Sequence, residues 1–281
     1  MKIVVLFVCL LFLLNDISAQ SWDEYLKKRA VKIDSLENLG DSVYGRLKSF
    51  RLIMVGEMHG TNEPAEFVTG LAKLITKKED SVLIGIEAPA DLIGNFIENS
   101  TEINLKESVF FKTGYNDGRS SEAWLHLIST VSKIPNARLF FFDDSKYYTL
   151  NRDSLMYINI KNQMKAHPKW KVITLTGNIH NKLIPYNEKI TTGTYLVSDK
   201  DLNLSKRICS INHMFQKGTM MNNRGKGLEL SEVDNGESVF SQFKFENYLV
   251  VDGSEKNFSS FLYTRNVTAS KMTTITQSSP K

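Results

Sequence analysis

Four short, largely apolar runs punctuate the first two thirds of the chain, and each stops at hydrogen-bonding or ionisable residues. Leu52 to Val55 ends at Gly56 and is followed by Glu57 and His59. Val82 to Ile86 gives way to Glu87-Ala88-Pro89, Ala137 to Phe142 runs into Asp143-Asp144, and Lys171 to Leu175 ends at Thr176-Gly177-Asn178-Ile179-His180. Such runs are too short for helices and read as buried strands. Between them, apolar residues recur at helical spacing over about Glu63–Lys78, Ser121–Lys133 and Asn151–His167. The alternation predicts an α/β fold: a mostly parallel sheet with helices on both faces and an additional β-rich C-terminal third. Parallel strands point the same way, so the groups that end them gather on one sheet edge, where open α/β sheets bind ligands.

Outside this alternation the pattern is weaker. Trp22 to Phe50 carries apolar residues among charges at roughly helical spacing and reads as an amphipathic helix broken near Gly40. Thr194–Val197, Arg207–Phe215, Tyr248–Val251 and Phe258–Tyr263 read as strands, with a glycine-punctuated loop from Gly218 to Gly227. From about residue 266 the chain is rich in Ser and Thr and reads as a disordered tail over 266–281. Residues 20–265 then form one α/β domain whose chemistry-bearing motifs lie between 50 and 182.

The N-terminus changes the picture. Lys2, an apolar run from Ile3 to Leu14 and Ser18-Ala19 before Gln20 make the layout of a signal peptide over residues 1–19. The expected location is therefore periplasmic or extracellular, with no membrane span after cleavage. Cys9 falls inside the leader and no lipobox precedes a cysteine, so the mature chain keeps Cys209 alone and forms no internal disulfide. The isoelectric point near 8.8 comes from scattered lysines rather than a basic stretch interleaved with aromatics, so nucleic acid is not implied as a partner.

The candidate site residues are Glu57, His59, Glu87, Arg152 and His180. Glu57 and His59 are two residues apart on a strand-to-helix crossover, between Gly56 and Gly60 that permit close backbone approach. Arg152 opens a helix, where a cation opposes the helix dipole, which points to a carboxylate or substrate partner, with a solvated arginine as the equal alternative. Asp143 and Asp144 read as turn and cap residues, His126 as a partly buried packing residue, and Asp117-Gly118-Arg119 as part of a loop that either closes over the site or is a solvated connection. There is no H-E-x-x-H, no phosphate-binding glycine loop and no G-x-S-x-G elbow.

GEMHG at 56–60 followed by Glu63, IGIEAP at 84–89, the Arg-Asp helix start NRDSLMYINI and GNIH at 177–180 together resemble the erythromycin-esterase, ChaN and Tiki superfamily. The resemblance runs in order over about residues 50–182. It implies an α/β sheet whose site is built from two histidines and two glutamates: Glu57, His59, Glu87 and His180, with Arg152 as the helix arginine. Esterase-like members are taken to use the first histidine to activate water, Tiki-like members are regarded as metal-dependent proteases, and ChaN-like members as haem binders. The present chain lacks the additional helical segments that wall the macrolide cleft of the esterases, and it lacks the lipobox of the lipoprotein haem binders. The expectation is an exported hydrolase acting on a small-molecule ester, lactone or peptide-like substrate, with a haem- or ligand-binding envelope protein as the alternative. No cofactor is favoured. The same four side chains would provide a first shell for a divalent ion, whereas a carboxylate-oriented imidazole activates water without one.

Overall fold

A computed structural model describes residues 22–79, 81–94, 102–113, 117–145, 151–223, 225, 227–251 and 257–273. The proposed signal peptide lies outside the described residues. Among them, no helix is long and apolar enough to cross a membrane.

The chain builds a mixed α/β structure around one nine-stranded sheet. A helix over residues 22–29 (α1) leads to β1 (Val31–Lys32), α2 (Asp41–Leu47), β2 (Leu52–Glu57), α3 (Glu63–Glu79) and β3 (Val82–Pro89). Three short helices, α4 (Ala90–Ile93), α5 (Glu102–Lys106) and α6 (Val109–Thr113), precede α7 (Glu122–Val131). Then come β4 (Ala137–Asp143), α8 (Arg152–Ala166), β5 (Lys171–Gly177) and α9 (Thr192–Ser198). The strands β6 (Ile208–Asn223), β7 (Leu228–Asp234), β8 (Asn247–Val251) and β9 (Ser260–Val267) complete the order.

Across the sheet the strands run β1-β8-β9-β6-β2-β5-β3-β4, with β7 paired to β6. The stretch from β9 to β4 is parallel throughout, and β1, β7 and β8 add antiparallel pairs. β2 is central, between β5 and β6, which explains its unbroken apolar run: Leu52 to Val55 are fully buried, as a parallel strand covered on both faces requires. Ile53, Val55, Ile84 and Ile86 pack under α3 and α7 on one face, whereas Leu52, Met54 and Leu83 pack under α8 and α9 on the other.

Several expectations are corrected. Residues 22–50 are not one broken helix. Leu26 of α1 joins a separate core with Tyr248 and Phe261, while Ile33, Val43 and Leu47 join the core under α3, so the apparent stripe is spread over pieces facing different partners. Thr194–Val197 lies in α9, not a strand; the Thr191 hydroxyl accepts from Thr194 N at 3.2 Å, and this cap decides a β-branched stretch in favour of helix. The expected loop from Gly218 to Gly227 is largely the continuation of β6, which turns back into β7 as a hairpin. Nor does a tail begin at 266: β9 runs through Val267, Ala269 and Met272 bridge to Thr61 and Ser121, and Ser270 is fully buried. Residues 274–281 lie outside the described residues.

Candidate active site

The ends of β2, β5, β3 and β4 lie side by side, with Glu57 in register with Gly177, Ile86 with Leu175 and Pro89 with Asp143. The five candidate residues are therefore brought to one edge. Each is held by a defined contact.

Glu57 is the last residue of β2 and is 2% exposed. Its Oε1 lies 2.6 Å from His59 Nδ1, and its Oε2 accepts from Trp124 Nε1 at 3.3 Å. The carboxylate thus dictates the ring: Nδ1–H donates to Glu57, and Nε2, which has no hydrogen-bond partner among the described residues, is left as an acceptor. The loop that carries His59 is pinned by Gly60, whose positive φ of 88° and close approach to Met221 O leave no room for a side chain. Gly118 packs against Gly60 N in turn, which brings the Arg119 loop onto the motif.

The second pair is His180 with Asp153. His180 Nδ1 lies 2.8 Å from Asp153 Oδ1, which also accepts from Thr192 N and Oγ1, both at 2.7 Å. His180 Nε2 is 3.2 Å from Arg152 Nη1. A guanidinium only donates, so this contact describes a neutral ring with its proton on Nδ1.

Glu87 is fully buried and does not touch either imidazole within hydrogen-bond distance; its Oε1 stands 3.9 Å from His180 Nε2. It accepts from Arg119 Nη1 at 3.2 Å, from Gly177 N at 2.7 Å, and from Arg152 Nη2 and the Thr176 hydroxyl. Asp143, read from the sequence as a turn residue, is a buried member of this network: it accepts from Arg119 Nη1 at 3.0 Å, Arg152 Nε at 3.0 Å and Arg152 Nη2 at 2.7 Å. Arg119 is likewise buried rather than part of a mobile cover. His126, expected as a partly buried packing residue, is instead exposed at the surface of α7 beside Glu37 and Glu102, and takes no part in this cluster's hydrogen bonds.

Glu57, Glu87, Asp143 and Asp153 outnumber the guanidiniums of Arg119 and Arg152, and the electrostatics follow. Burial, the largest influence on His59, lowers its pKa, but the Glu57 hydrogen bond and charge together carry it above 6.5. Burial likewise lowers His180, and the Glu87 charge and Asp153 hydrogen bond more than offset it. For Glu87, burial favours the protonated form, yet positive charge on His180 when that ring is protonated, the charges of Arg152 and Arg119, and a protonated His59 hold it well below the usual carboxylate range. Arg119 and Arg152 are locked in their charged forms by these carboxylates against the opposing effect of burial.

The donor set fits a metal ion poorly. Among the described residues no three His, Cys, Asp or Glu side chains are placed to share one ion, and the oxygens of Glu57 and Glu87 are committed to N–H and O–H donors.

Arg119, Asp143, Asp153 and Trp124 are the site residues that sequence reasoning missed. Asp143 carried a signal in ending a strand and Asp153 in following Arg152 at the start of α8, whereas nothing local assigned Arg119 or Trp124 to the cluster.

No family model and no curated protein matches the chain. Solved structures do. A Bacillus cereus protein superposes with a TM-score of 0.69 at 11% identity, over 90% of this chain and 99% of its own. A mutant of erythromycin esterase EreC in its open conformation superposes at 0.62 and 10% identity, over 84% and 95%. A succinoglycan biosynthesis protein superposes at 0.64 and 10% identity, over 90% and 98%. The fold is thus shared, nearly end to end, with an erythromycin esterase, as the motifs lead one to expect.

Proposed function

We propose that this chain is an exported hydrolase of ester, lactone or peptide-like bonds in which His59 acts as general base. The observation that carries the reading is the pair Glu57–His59: a buried carboxylate fixes the imidazole tautomer and leaves Nε2 directed away from it, toward Gly177. Histidine has a pKa close to working pH with little tuning, which suits proton transfer in both directions. Water gives its proton to His59 Nε2 as its oxygen adds to the carbonyl carbon. The tetrahedral adduct then collapses, the carbon–oxygen or carbon–nitrogen bond to the leaving group breaks, and the proton on His59 passes to that group. Arg152, a quarter exposed at its side chain, stabilises the oxyanion. Glu87, Asp143 and Arg119 act by positioning Arg152, and Asp153 by orienting His180.

The test is hydrolysis of ester, lactone and peptide panels by the purified protein and by His59→Ala. Turnover that the substitution abolishes supports the reading; silence across every panel refutes it. The ligand-binding alternative predicts instead a Soret band on adding hemin that disappears in His59→Ala or His180→Ala. The geometry favours the hydrolase, because His180 Nε2 already accepts from Arg152.

A further inference from the structure

A cleft of about 660 Å³ reaches the motif loops through Met58 and Asn178, the sequence neighbours of His59 and of Gly177, although His59 and His180 are not themselves among its lining residues; its volume is inside the range of about 300–1,000 Å³ usual for small-molecule sites. Its inner wall comes from the motif loops, through Met58 and Asn178. Its outer wall comes from the C-terminal third, through Met214 of β6, Tyr263 of β9 and Phe240. The β6–β7 hairpin closes one side.

The lining has a consistent chemistry. No Asp, Glu, Lys or Arg is among the described residues that form it. His213 belongs to it but is buried, with Nε2 2.9 Å from Thr264 Oγ1, and burial lowers its pKa to about 3, so the ring stays neutral. The polar groups are side-chain amides and hydroxyls, between methionine and aromatic surfaces. The apolar character continues to the rim of the histidine site: Met58 and Ile179, the residues just before His59 and His180, are 44% and 51% exposed. An ion entering this cleft would give up water and meet no counter-charge among the described residues that line it. An uncharged body gains from burial on the methionine and aromatic faces, and its carbonyl or hydroxyl groups find amides to bond.

We propose that the C-terminal third builds a ligand pocket for an electrically neutral, largely apolar molecule bearing carbonyl or hydroxyl groups, and that this molecule is the substrate presented to His59. The second half of that statement rests on the hydrolase reading; the first does not.

Two measurements separate them. The first titrates the purified protein with N-phenyl-1-naphthylamine, a neutral fluorescent probe, with 8-anilinonaphthalene-1-sulfonate as its anionic counterpart. Wild type and His59→Ala are expected to bind the neutral probe equally and in preference to the anion. Met214→Glu, which places a charge on the partly exposed wall, is expected to weaken the neutral probe by about tenfold or more. Asn222→Glu, farther along β6 and likewise partly exposed, repeats the test at a second position should Met214→Glu fail to fold. The second measures hydrolysis of aryl esters whose acyl groups are neutral, anionic or cationic: neutral esters are expected to be preferred, with Met214→Glu raising KM and leaving kcat within about twofold. Absence of neutral-probe binding, binding indifferent to both substitutions, or a preference for charged esters overturns the proposal. Neutral-probe binding lost in Met214→Glu with no ester hydrolysed leaves the pocket standing and removes the hydrolase reading.

Discussion

Gly177 lies directly against His59: a Cβ on the glycine would stand 3.1 Å from His59 Nε2 and 3.4 Å from Cε1, and 3.6 Å from His180 Cδ2. The two imidazoles therefore meet over the one residue in β5 that has no side chain. Gly177→Ala does not strain the backbone, since its φ is not in the left-handed region, but it pushes the base. Displacement of a catalytic group by a fraction of an ångström is expected to lower kcat by roughly tenfold to a hundredfold, with a thermal midpoint close to wild type. Unchanged turnover in Gly177→Ala would show that His59 Nε2 is not the reacting atom.

The Glu57–His59 pair makes a pH prediction. The Glu57 hydrogen bond and charge raise the His59 pKa above 6.5 against burial, and a general base must be neutral to act. The acid limb of kcat/KM is therefore expected above 6.5. Glu57→Gln removes the Glu57 charge and weakens the bond to Nδ1, leaving only the Glu87 charge to raise the ring against burial, so the limb moves to lower pH; maximal activity falls, because an amide can either accept from or donate to Nδ1 and no longer imposes one tautomer. A limb that stays in place in Glu57→Gln would assign the titration to another group, with His180 the next to examine.

Much of this edge is legible in the chain because Glu57, Glu87 and His180 each lie within five residues of the end of an apolar run, and parallel topology converts that position into proximity. Arg119 was not legible. It reaches Glu87 from a loop whose approach depends on Gly118 meeting Gly60, a contact between residues 58 positions apart in the sequence that no local periodicity encodes. Asp143 was misread because an Asp-Asp pair after a strand is ordinary turn chemistry; only its two arginine partners reveal otherwise. In the C-terminal third, Thr194–Val197 has strand-like residues that a local cap and packing of Leu196 draw into a helix, as tertiary context often does to weak propensities.

The arginine network carries stability as well as geometry. Arg119 and its partners Glu87 and Asp143 are all buried, so Arg119→Met leaves two carboxylates short of a counter-charge at the end of the sheet. Removing one partner of such a buried group costs about 3–5 kcal/mol. The double variant Arg119→Met/Asp143→Asn is expected to lose less than the sum of the two single changes, by about 1–3 kcal/mol. Urea denaturation of the four proteins measures the coupling; strict additivity would mean that Arg119 acts on Glu87 alone.

Glu63 supplies a pH dependence independent of the active site. It opens α3, is 6% exposed, and its Oε1 accepts from Thr268 N and Oγ1, both at 2.8 Å, whereas Oε2 is buried with no hydrogen-bond partner among the described residues. Burial raises its pKa to about 7, outweighing the Thr268 bonds that favour the anion. The folded state thus keeps a proton that the unfolded chain, with a value near 4.5, has released. Stability from this group is complete below pH 4.5, declines as pH rises toward 7, and is lost above it, in total on the order of 3 kcal/mol. Glu63→Gln keeps the acceptor for Thr268 and cannot ionise. It is expected to match wild type below pH 4.5 and to exceed it above pH 7, by an amount read from urea midpoints at the two ends. If the two proteins keep the same stability difference across that window, Glu63 is already ionised in the folded state and its burial is matched by solvent or by the Thr268 contacts.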